Sequence, residues 1–439
     1  MIDGTNPDGL AAARPTLASR AAEITGAADA PHSDGPRSYR RDDQETLLPE
    51  GTVIPAEEIE RALDEPFSHT LDVASWDRGL TQAALDKLET QIGEAVEQEH
   101  EIVKLVRREI FPRIAGDEGA PAGAGVFQAT LTDIDAAQRN VLFNVGVTAV
   151  DGTVKTHDTL PLTITQIGVS MVSYAGEQGA WTHRVFRREL RAKGPDVSRD
   201  DMLDALLRRR GRAGLGQPDK SRKEGRMSEL LGRGVMTYAE RVVLADHADT
   251  PWRMGHGTLA PYELLTGSGS MELLDASMGA LGRLVDHGRF VFVPSADGDR
   301  LLLTLGMALR PLEYAIISDD SDRMRSIVEN GHYSEEYARK AMSFVREIGP
   351  KIVVGVYRTY ADVPAQVFYA HEDFAHEAAI IAMADSVLQS HRGFPTLIDV
   401  ADIACKTYTG MDAFGPAVQA GYSRSGSPLL FLSERETRG

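Results

Sequence analysis

The N-terminal part of the chain divides into an unpatterned stretch and a helical one. Residues 1–55 are rich in Ala, Gly, Pro, Asp and Arg and have no sustained apolar period, which predicts a flexible tail. From 56 to 111, apolar residues recur mostly three or four positions apart, the spacing of an amphipathic helix. Pro112 interrupts this pattern, and a loop of Gly, Ala and Pro follows. We therefore expect an N-terminal helical extension over 56–125.

The pattern then changes to the period of β-strands. Residues 141–150 are largely apolar and rich in strand-forming types, and the following Asp151-Gly152-Thr153 predicts a turn. Residues 162–174 alternate between apolar and polar types, and 182–190 could form a third strand. Three consecutive strands with short connections predict an antiparallel meander.

The remainder of the chain mixes predicted helices and strands. Helical patterns cover 197–249 (with a Gly-rich break), 271–285, 377–389 and 397–405, and strand patterns cover 290–293, 351–357 and 365–369. This order predicts an α/β fold, with a mixed sheet that starts antiparallel and is flanked by helices. We assign the core to 126–425 and a C-terminal tail to 426–439.

Composition narrows the class of protein. Of 439 residues, 42% are hydrophobic and 26% are charged, as in soluble globular chains. No apolar run reaches the roughly 18 to 20 residues of a membrane helix, and the first residues lack the order of a signal peptide. Cys405 is the single cysteine, which excludes an intrachain disulfide and a zinc site of several thiolates. We expect a cytoplasmic protein without a membrane partner.

Positive charge is concentrated in one segment of an acidic protein. The net charge is −18, whereas residues 183–226 contain 14 Lys or Arg against 7 Asp or Glu, so this segment carries +7 and the rest carries −25. Such a segment could attract a polyanion, or it could be a solvated surface. The candidate phosphate contacts are Arg187, Arg188, Arg208, Arg209, Arg210, Arg212 and, outside the segment, Tyr262.

Two further patterns do not support a site. His371 and His376 are five residues apart, which rotates one by about 140° from the other on a helix, whereas a zinc-protease helix needs a spacing of four. Residues 267–270 read Gly-Ser-Gly-Ser but lack the Lys of a phosphate-binding loop, which favours a simple turn.

Asp151 is the more informative residue. A carboxylate at the end of an apolar strand projects from a rigid element and can hold a hard cation through oxygen. The same Asp-Gly pair is also a common hairpin signal, so both interpretations remain open.

Three motifs in chain order resemble those of the NurA nuclease family. Residues 149–153, Ala-Val-Asp-Gly-Thr, resemble the Asp-Gly-Ser segment that opens the nuclease domain. Residues 256–259, His-Gly-Thr-Leu, followed by Pro-Tyr-Glu-Leu-Leu at 261–265, resemble the second motif, Asp-Gly-small-Leu with an apolar continuation. Residues 393–402 resemble the closing motif, Gly-Tyr-Pro-x-x-Leu-x-x-Ala-His. The resemblance covers about residues 140–410.

This resemblance implies a ribonuclease H-like core and cleavage of DNA by a homodimer that depends on Mn²⁺ or Mg²⁺. It also implies partnership with a HerA-type hexameric ATPase in DNA end processing or in defence against foreign DNA. Asp151 would be the primary metal ligand and catalytic residue, with Glu240, His256 and Asp402 as companions.

Two positions depart from the family pattern. Residue 256 is His where the family has Asp, and residue 402 is Asp where the family has His. The pair is either an exchange that keeps one imidazole and one carboxylate in the site, or a sign that the site has decayed. The alternative function is therefore a catalytically impaired homologue that serves as an adaptor or DNA clamp on the ATPase. If the three motifs are coincidental, the chain is an unrelated α/β ligand-binding protein.

Overall fold

The computed structural model describes most of the chain after residue 54. The described residues are 55–77, 79, 81–117, 119–159, 162–187, 220–296, 298–331 and 334–427, with the backbone alone from 220 to 228. Outside them lie nearly all of the predicted N-terminal tail and the predicted phosphate contacts Arg188, Arg208, Arg209, Arg210 and Arg212. No helix in the described part of the chain is long and apolar enough to cross a membrane.

A mixed nine-stranded sheet forms the centre of the fold, in the order β1-β7-β8-β9-β6-β5-β2-β3-β4. Its strands are β1 (Gly125–Gln128), β2 (Val147–Asp158), β3 (Thr163–Ser173), β4 (Gly176–Arg187), β5 (Trp252–His256), β6 (Phe290–Val293), β7 (Glu313–Asp319), β8 (Ile352–Arg358) and β9 (Gln366–His371). Strands β2, β3 and β4 form an antiparallel meander, whereas β2, β5 and β6 run parallel. The predicted mixed sheet with an antiparallel start is confirmed.

The predicted turn at Asp151-Gly152-Thr153 is wrong. Strand β2 begins at Val147, after a helical turn at 138–142, and continues through Asp151 to Asp158. It pairs with β5 only over 147–150, whereas its pairing with β3 extends from 149 to 158. This long antiparallel ladder overrides the local turn preference of Asp-Gly. Asp151 therefore lies within strand β2, one residue after the last residue that pairs with β5.

Helices pack on both faces of the sheet, and three α-helices of the described part precede the first strand in the chain. They are α1 (Ala56–Leu63), α2 (Phe67–Leu71), α3 (Gln82–Leu105), α4 (Leu131–Ala137), α5 (Lys220–Asp246), α6 (Tyr262–Leu265), α7 (Met271–His287), α8 (Arg300–Met307), α9 (Ser321–Asn330), α10 (Glu335–Ile348), α11 (Ala375–Ser386), α12 (Thr396–Tyr408) and α13 (Phe414–Arg424). The expected N-terminal helical segment is thus present as α1, α2 and α3.

The sheet separates two hydrophobic clusters. Val150 packs in the cluster that contains residues of α5 and α7, and its neighbour Ala149 packs in the cluster that contains residues of α11 and α12. Because side chains alternate along a strand, Asp151 projects toward the α12 face and Gly152 toward the α5 face. Beyond residue 150, β2 is no longer paired with β5. Side chains from both faces of the sheet can therefore meet at this edge of β2.

Candidate functional site

A cleft of ≈ 450 Å³ lies beyond the carboxyl ends of the parallel strands β5 and β6. Ligand sites of open α/β sheets commonly occupy this position, where strands end and loops diverge. The charged and titratable residues that line the cleft include Asp151, Arg233, Glu240, Arg241, His256, Glu263, Arg323, Arg392, Asp399 and Asp402. All four predicted ligand positions thus lie on one cleft.

Asp151 and His256 form a close pair just beyond the point where the pairing of β2 with β5 ends. Nδ1 of His256 lies 3.4 Å from Oδ1 of Asp151, and the Asp151 side chain is buried whereas that of His256 is 36% exposed. Burial lowers the pKa of His256, but the hydrogen bond to Asp151 and the charges of Asp151 and Glu240 raise it more, so the pKa lies above its ordinary value. The charge of Arg241 also opposes this increase. On the other side of the ring, Nε2 accepts a hydrogen bond from the backbone N–H of Ser295 at 3.3 Å.

Glu240 is held by the adjacent Arg241, which sequence reasoning missed. The Arg241 side chain is only 2% exposed and donates to Oε2 of Glu240 at 2.9 Å. It also donates to the carbonyl oxygens of Leu259, His256 and Thr258, at 3.1, 3.2 and 2.7 Å. One buried guanidinium therefore fixes both the Glu240 carboxylate and the loop that follows β5.

The electrostatics of Glu240 reflect this crowding. Burial raises the pKa of Glu240 to about 7, the charge of Arg241 opposes the increase, and the charge of Asp151 adds to it. Both side chains line the cleft, and the residue after Asp151, Gly152, is the one on which Glu240 packs. Since like charges at short range disfavour double ionisation, a bound cation would relieve their repulsion.

Gly152 explains how Glu240 reaches this position. A Cβ atom at residue 152 would lie 2.5 Å from Oε1 of Glu240 and 2.8 Å from Cγ of Met236. Any side chain there would displace the neighbouring turn of α5 or rotate Glu240 away. The Asp-Gly pair was interpreted from the sequence as a turn signal, but here the glycine permits the close approach of a helix.

Asp402 lies on α12 and lines the same cleft. Its Oδ2 accepts a hydrogen bond from Nζ of Lys406 at 2.8 Å, one helical turn later. The two positions that depart from the NurA pattern therefore share a cleft, although His256 contacts Asp151 and Asp402 contacts a lysine.

Three further arginines line the cleft, and none was identified from the sequence. Arg323 on α9 is held by Asp320 with 2.7 Å between Nε and Oδ1, and its guanidinium lies 5.4 Å from the ring centre of Tyr369. Arg392 pairs with Asp399, and Arg233 lies 3.8 Å from Glu263. The motif containing residues 393–402 follows Arg392 directly, but no sequence signal connects Arg323 or Arg233 to the site.

The described residues predicted to contact phosphate lie elsewhere. Arg187 is the last residue of β4, and Tyr262 on α6 is half-buried and packs against the hydrophobic cluster that contains α5. Neither is among the described residues that line the cleft. His371 and His376 do not form a joint site: the Nδ1 atom of His371 is near Asp373, and that of His376 is 3.0 Å from the hydroxyl of Tyr314.

The donors that face the cleft are chiefly carboxylate oxygens. In the described part of the chain, no group of three or more His, Cys, Asp or Glu side chains is arranged to hold a metal ion. Asp151 and Glu240 still present two carboxylates to one cleft. Hard divalent cations such as Mg²⁺ are often held by one or two carboxylates, with water and phosphate oxygens completing the coordination. The donor set therefore fits such a cation and does not resemble a zinc site.

Comparison with known proteins identifies similar structures but no related sequence. No protein-family model and no curated protein matches the sequence. The NurA nuclease from Sulfolobus solfataricus matches with 10% identity and a TM-score of 0.40, over 79% of this chain and 98% of that chain. A second NurA structure matches with 7% identity and a TM-score of 0.41, over 78% of this chain and 98% of that one. NurA bound to dAMP and manganese matches with 6% identity and a TM-score of 0.40, over 75% of this chain and 94% of that one. The predicted resemblance to NurA nucleases is confirmed as a likeness of fold alone.

Proposed function

We propose that this protein is a metal-dependent deoxyribonuclease that hydrolyses phosphodiester bonds in the cleft around Asp151. The observation that carries the proposal is the placement of two buried carboxylates, Asp151 and Glu240, on one cleft at the open edge of the sheet. Two buried negative groups are costly unless cations compensate both: Arg241 compensates Glu240, and a divalent ion would compensate Asp151 as well. A buried acidic pair in a cleft is therefore better explained by a cation site than by a purely structural role.

The residues around this pair divide into two groups. Asp151 and Glu240 would hold Mn²⁺ or Mg²⁺, with Asp402 on α12 lining the same cleft, and His256 would fix the orientation of Asp151. A bound divalent ion supplies Lewis-acid chemistry, which activates water and stabilises charge on the attacked phosphate. Arg233, Arg323 and Arg392 line the same cleft and would bring phosphate oxygens to it, because guanidinium groups match phosphate geometry.

A nuclease assay tests this proposal directly. Full-length protein is incubated with end-labelled single- and double-stranded DNA in the presence of Mn²⁺, Mg²⁺ or EDTA. We expect cleavage only with a divalent ion, and a loss of at least about 100-fold in Asp151→Asn and in Glu240→Gln, in line with removal of a group that acts in the transition state. Asp158→Asn, on the same strand, and Glu229→Gln, on the same helix, are matched controls that should retain activity.

The catalytically impaired adaptor is the second candidate. It is favoured by the contacts that already engage one oxygen of each carboxylate and both nitrogens of His256. In that case DNA binds without any metal-dependent cleavage, and Asp151→Asn leaves the affinity for DNA unchanged. The same assay, combined with a DNA-binding titration, therefore separates the two functions.

The protein would act as a homodimer bound to a HerA-type ATPase, on DNA ends or on foreign DNA. Support for an interface comes from α3, which has no buried residue and leaves Leu88, Ile92 and Val96 42 to 51% exposed along one stripe. Light scattering of the protein alone and of its mixture with such an ATPase tests both associations. A monomer across micromolar concentrations, unchanged by Ile92→Glu, would contradict the dimer.

A further inference from the structure

The ring of His256 is held by three different segments. Its Nε2 accepts from the backbone N–H of Ser295 at 3.3 Å, and its Nδ1 is 3.4 Å from Oδ1 of Asp151. The ring also meets that of Phe394 edge-on, with 6.3 Å between the centroids. These contacts leave the imidazole little freedom to rotate.

The same contacts fix the tautomer of the neutral ring. A nitrogen that accepts a hydrogen bond presents its lone pair, so the single ring proton must reside on Nδ1. This proton is on the nitrogen that lies 3.4 Å from Oδ1 of Asp151, so His256 is the donor of that contact. A metal ion binds imidazole only through a free lone pair, and neither ring nitrogen presents one to the cleft.

Each carboxylate of the site has one oxygen already engaged. Oδ1 of Asp151 faces His256, and Oε2 of Glu240 accepts from Arg241. Among the described residues, no side chain or amide donates to Oδ2 of Asp151 or Oε1 of Glu240. Two oxygens, one from each carboxylate, remain for a cation. A site with two ions about 3.5 to 4 Å apart needs more ligands, commonly a carboxylate that bridges them with both oxygens.

We propose that the cleft binds a single divalent ion between Asp151 and Glu240, and that His256 is a positioning residue that orients Asp151 instead of a metal ligand. The imidazole stands where the NurA pattern has a carboxylate, and it engages the Asp151 oxygen that a second ion would need. This inference rests on the proposed function, because it concerns the metal of that nuclease site.

Counting Mn²⁺ ions tests the inference without any measurement of cleavage. Metal-stripped full-length protein is titrated with Mn²⁺ and followed by calorimetry and by the electron paramagnetic resonance signal of free Mn²⁺. We expect one ion per protomer in the wild type and two in His256→Asp, which restores a carboxylate at that position.

Two other substitutions separate positioning from ligation. His256→Ala removes the donor to Asp151 and should weaken Mn²⁺ binding by about 10- to 100-fold, the usual effect of losing a group that orients a ligand. His256→Asn places an amide N–H near the position of Nδ1–H and should recover most of that loss. Two ions in the wild type, or an Asn variant as weak as the Ala variant, would overturn the inference. Thermal unfolding by circular dichroism verifies that each variant is folded.

Nitrogen-15 spectra of the metal-free protein provide an independent measurement. The His256 ring should show the Nδ1–H tautomer, and Asp151→Asn should change its shifts. An Nε2–H tautomer would overturn the inference even if the nuclease proposal holds. Binding of one ion with the expected tautomer but without any cleavage of DNA would support the inference and contradict the nuclease. No binding of Mn²⁺ at all would overturn both.

Discussion

Oε1 of Glu240 lies only 2.5 Å from the position that a Cβ atom would take on Gly152. This is too short for any carbon–oxygen contact, so the glycine is required by the packing of α5 against β2. The residue after Asp151 is therefore in direct contact with the second carboxylate. A substitution at Gly152 tests whether Glu240 belongs to the site.

Gly152→Ala should therefore reduce both stability and metal binding. The added methyl group must displace Glu240 or the helix that carries it, and overpacking of this kind typically costs about 1 to 3 kcal/mol. Urea unfolding measures the stability, and Mn²⁺ titration should show at least a tenfold loss of affinity. Gly282→Ala on α7 is the matched control, because its Cβ meets no atom within 4 Å, and alanine in a helix should be neutral or stabilising by up to about 1 kcal/mol. Unchanged Mn²⁺ affinity in Gly152→Ala would remove Glu240 from the site.

Arg241 should be the most costly single arginine to replace. Arg241→Met keeps much of the side-chain volume but leaves Glu240 and three carbonyl oxygens without their donor. Removing one partner of a buried ion pair typically costs about 3 to 5 kcal/mol of folding free energy. Equilibrium unfolding measures the cost. Arg283→Met, which breaks a half-exposed pair with Asp246, should cost less than about 1 kcal/mol.

A double variant isolates the role of the pair itself. Because Glu240→Gln removes the unpaired charge, Arg241→Met combined with Glu240→Gln should be more stable than Arg241→Met alone. If the stability losses of the two single variants are additive in the double variant, Arg241 stabilises the fold through the carbonyl oxygens, and its ion pair with Glu240 contributes little to stability.

Elements with a continuous apolar pattern were predictable from the sequence, whereas the end of a strand, or a strand set mainly by pairing with its neighbours, was not. The predicted strand at 290–293 coincides with β6, and the predicted helix at 271–285 corresponds to α7. The end of β2 was misplaced, because Asp-Gly favours a turn locally and only the partner strand β3 shows that the ladder continues. Strand β7 was missed although it pairs with β1 and β8.

The candidate site shows the same division. Asp151, His256 and Asp402 were found through short motifs, and the structure brings all three to one cleft, although their roles as ligands stay predictions. Arg323 could not be found in this way, since its position depends on Asp320 at the start of its own helix and on Tyr369 in strand β9. The tautomer of His256 depends on the backbone of Ser295, which no sequence pattern specifies.

Asp385 should make stability depend on pH between about 4 and 6. Its carboxyl group is fully buried, accepts from the Tyr174 hydroxyl and from the backbone N–H of Leu397, and its pKa is raised by burial from 3.8 to about 6. Between these values the folded chain holds a proton that the unfolded chain has lost, so stability falls as pH rises and then levels off above about 6. A shift of about two pH units corresponds to a loss of the order of 3 kcal/mol.

Urea unfolding from pH 4 to 7 measures this dependence against Asp385→Asn, whose amide does not titrate. The wild type should lose stability relative to the variant as pH rises through this range. Asp373→Asn, at a side chain that is 74% exposed, is the control for loss of a carboxylate at the surface. A constant difference for Asp385→Asn would show that Asp385 is ionised in the folded protein throughout.

The basic segment at 183–226 should contribute most of the salt dependence of DNA binding. Its charge of +7 contrasts with −25 on the rest of the chain, and each phosphate that it neutralises releases counterions, with a slope of about −0.9 in log affinity against log salt. Replacing Arg208, Arg209, Arg210 and Arg212 by Gln should weaken binding and make that slope shallower by up to about 3.6.

The control replaces four arginines outside the segment and changes the net charge equally: Arg139, Arg283, Arg325 and Arg346. Fluorescence anisotropy between 50 and 200 mM salt, about the range over which such contacts dominate, compares the two variants. Equal slopes would mean that total charge, and not this segment, attracts the DNA, and the DNA path would then have to follow the arginines of the cleft.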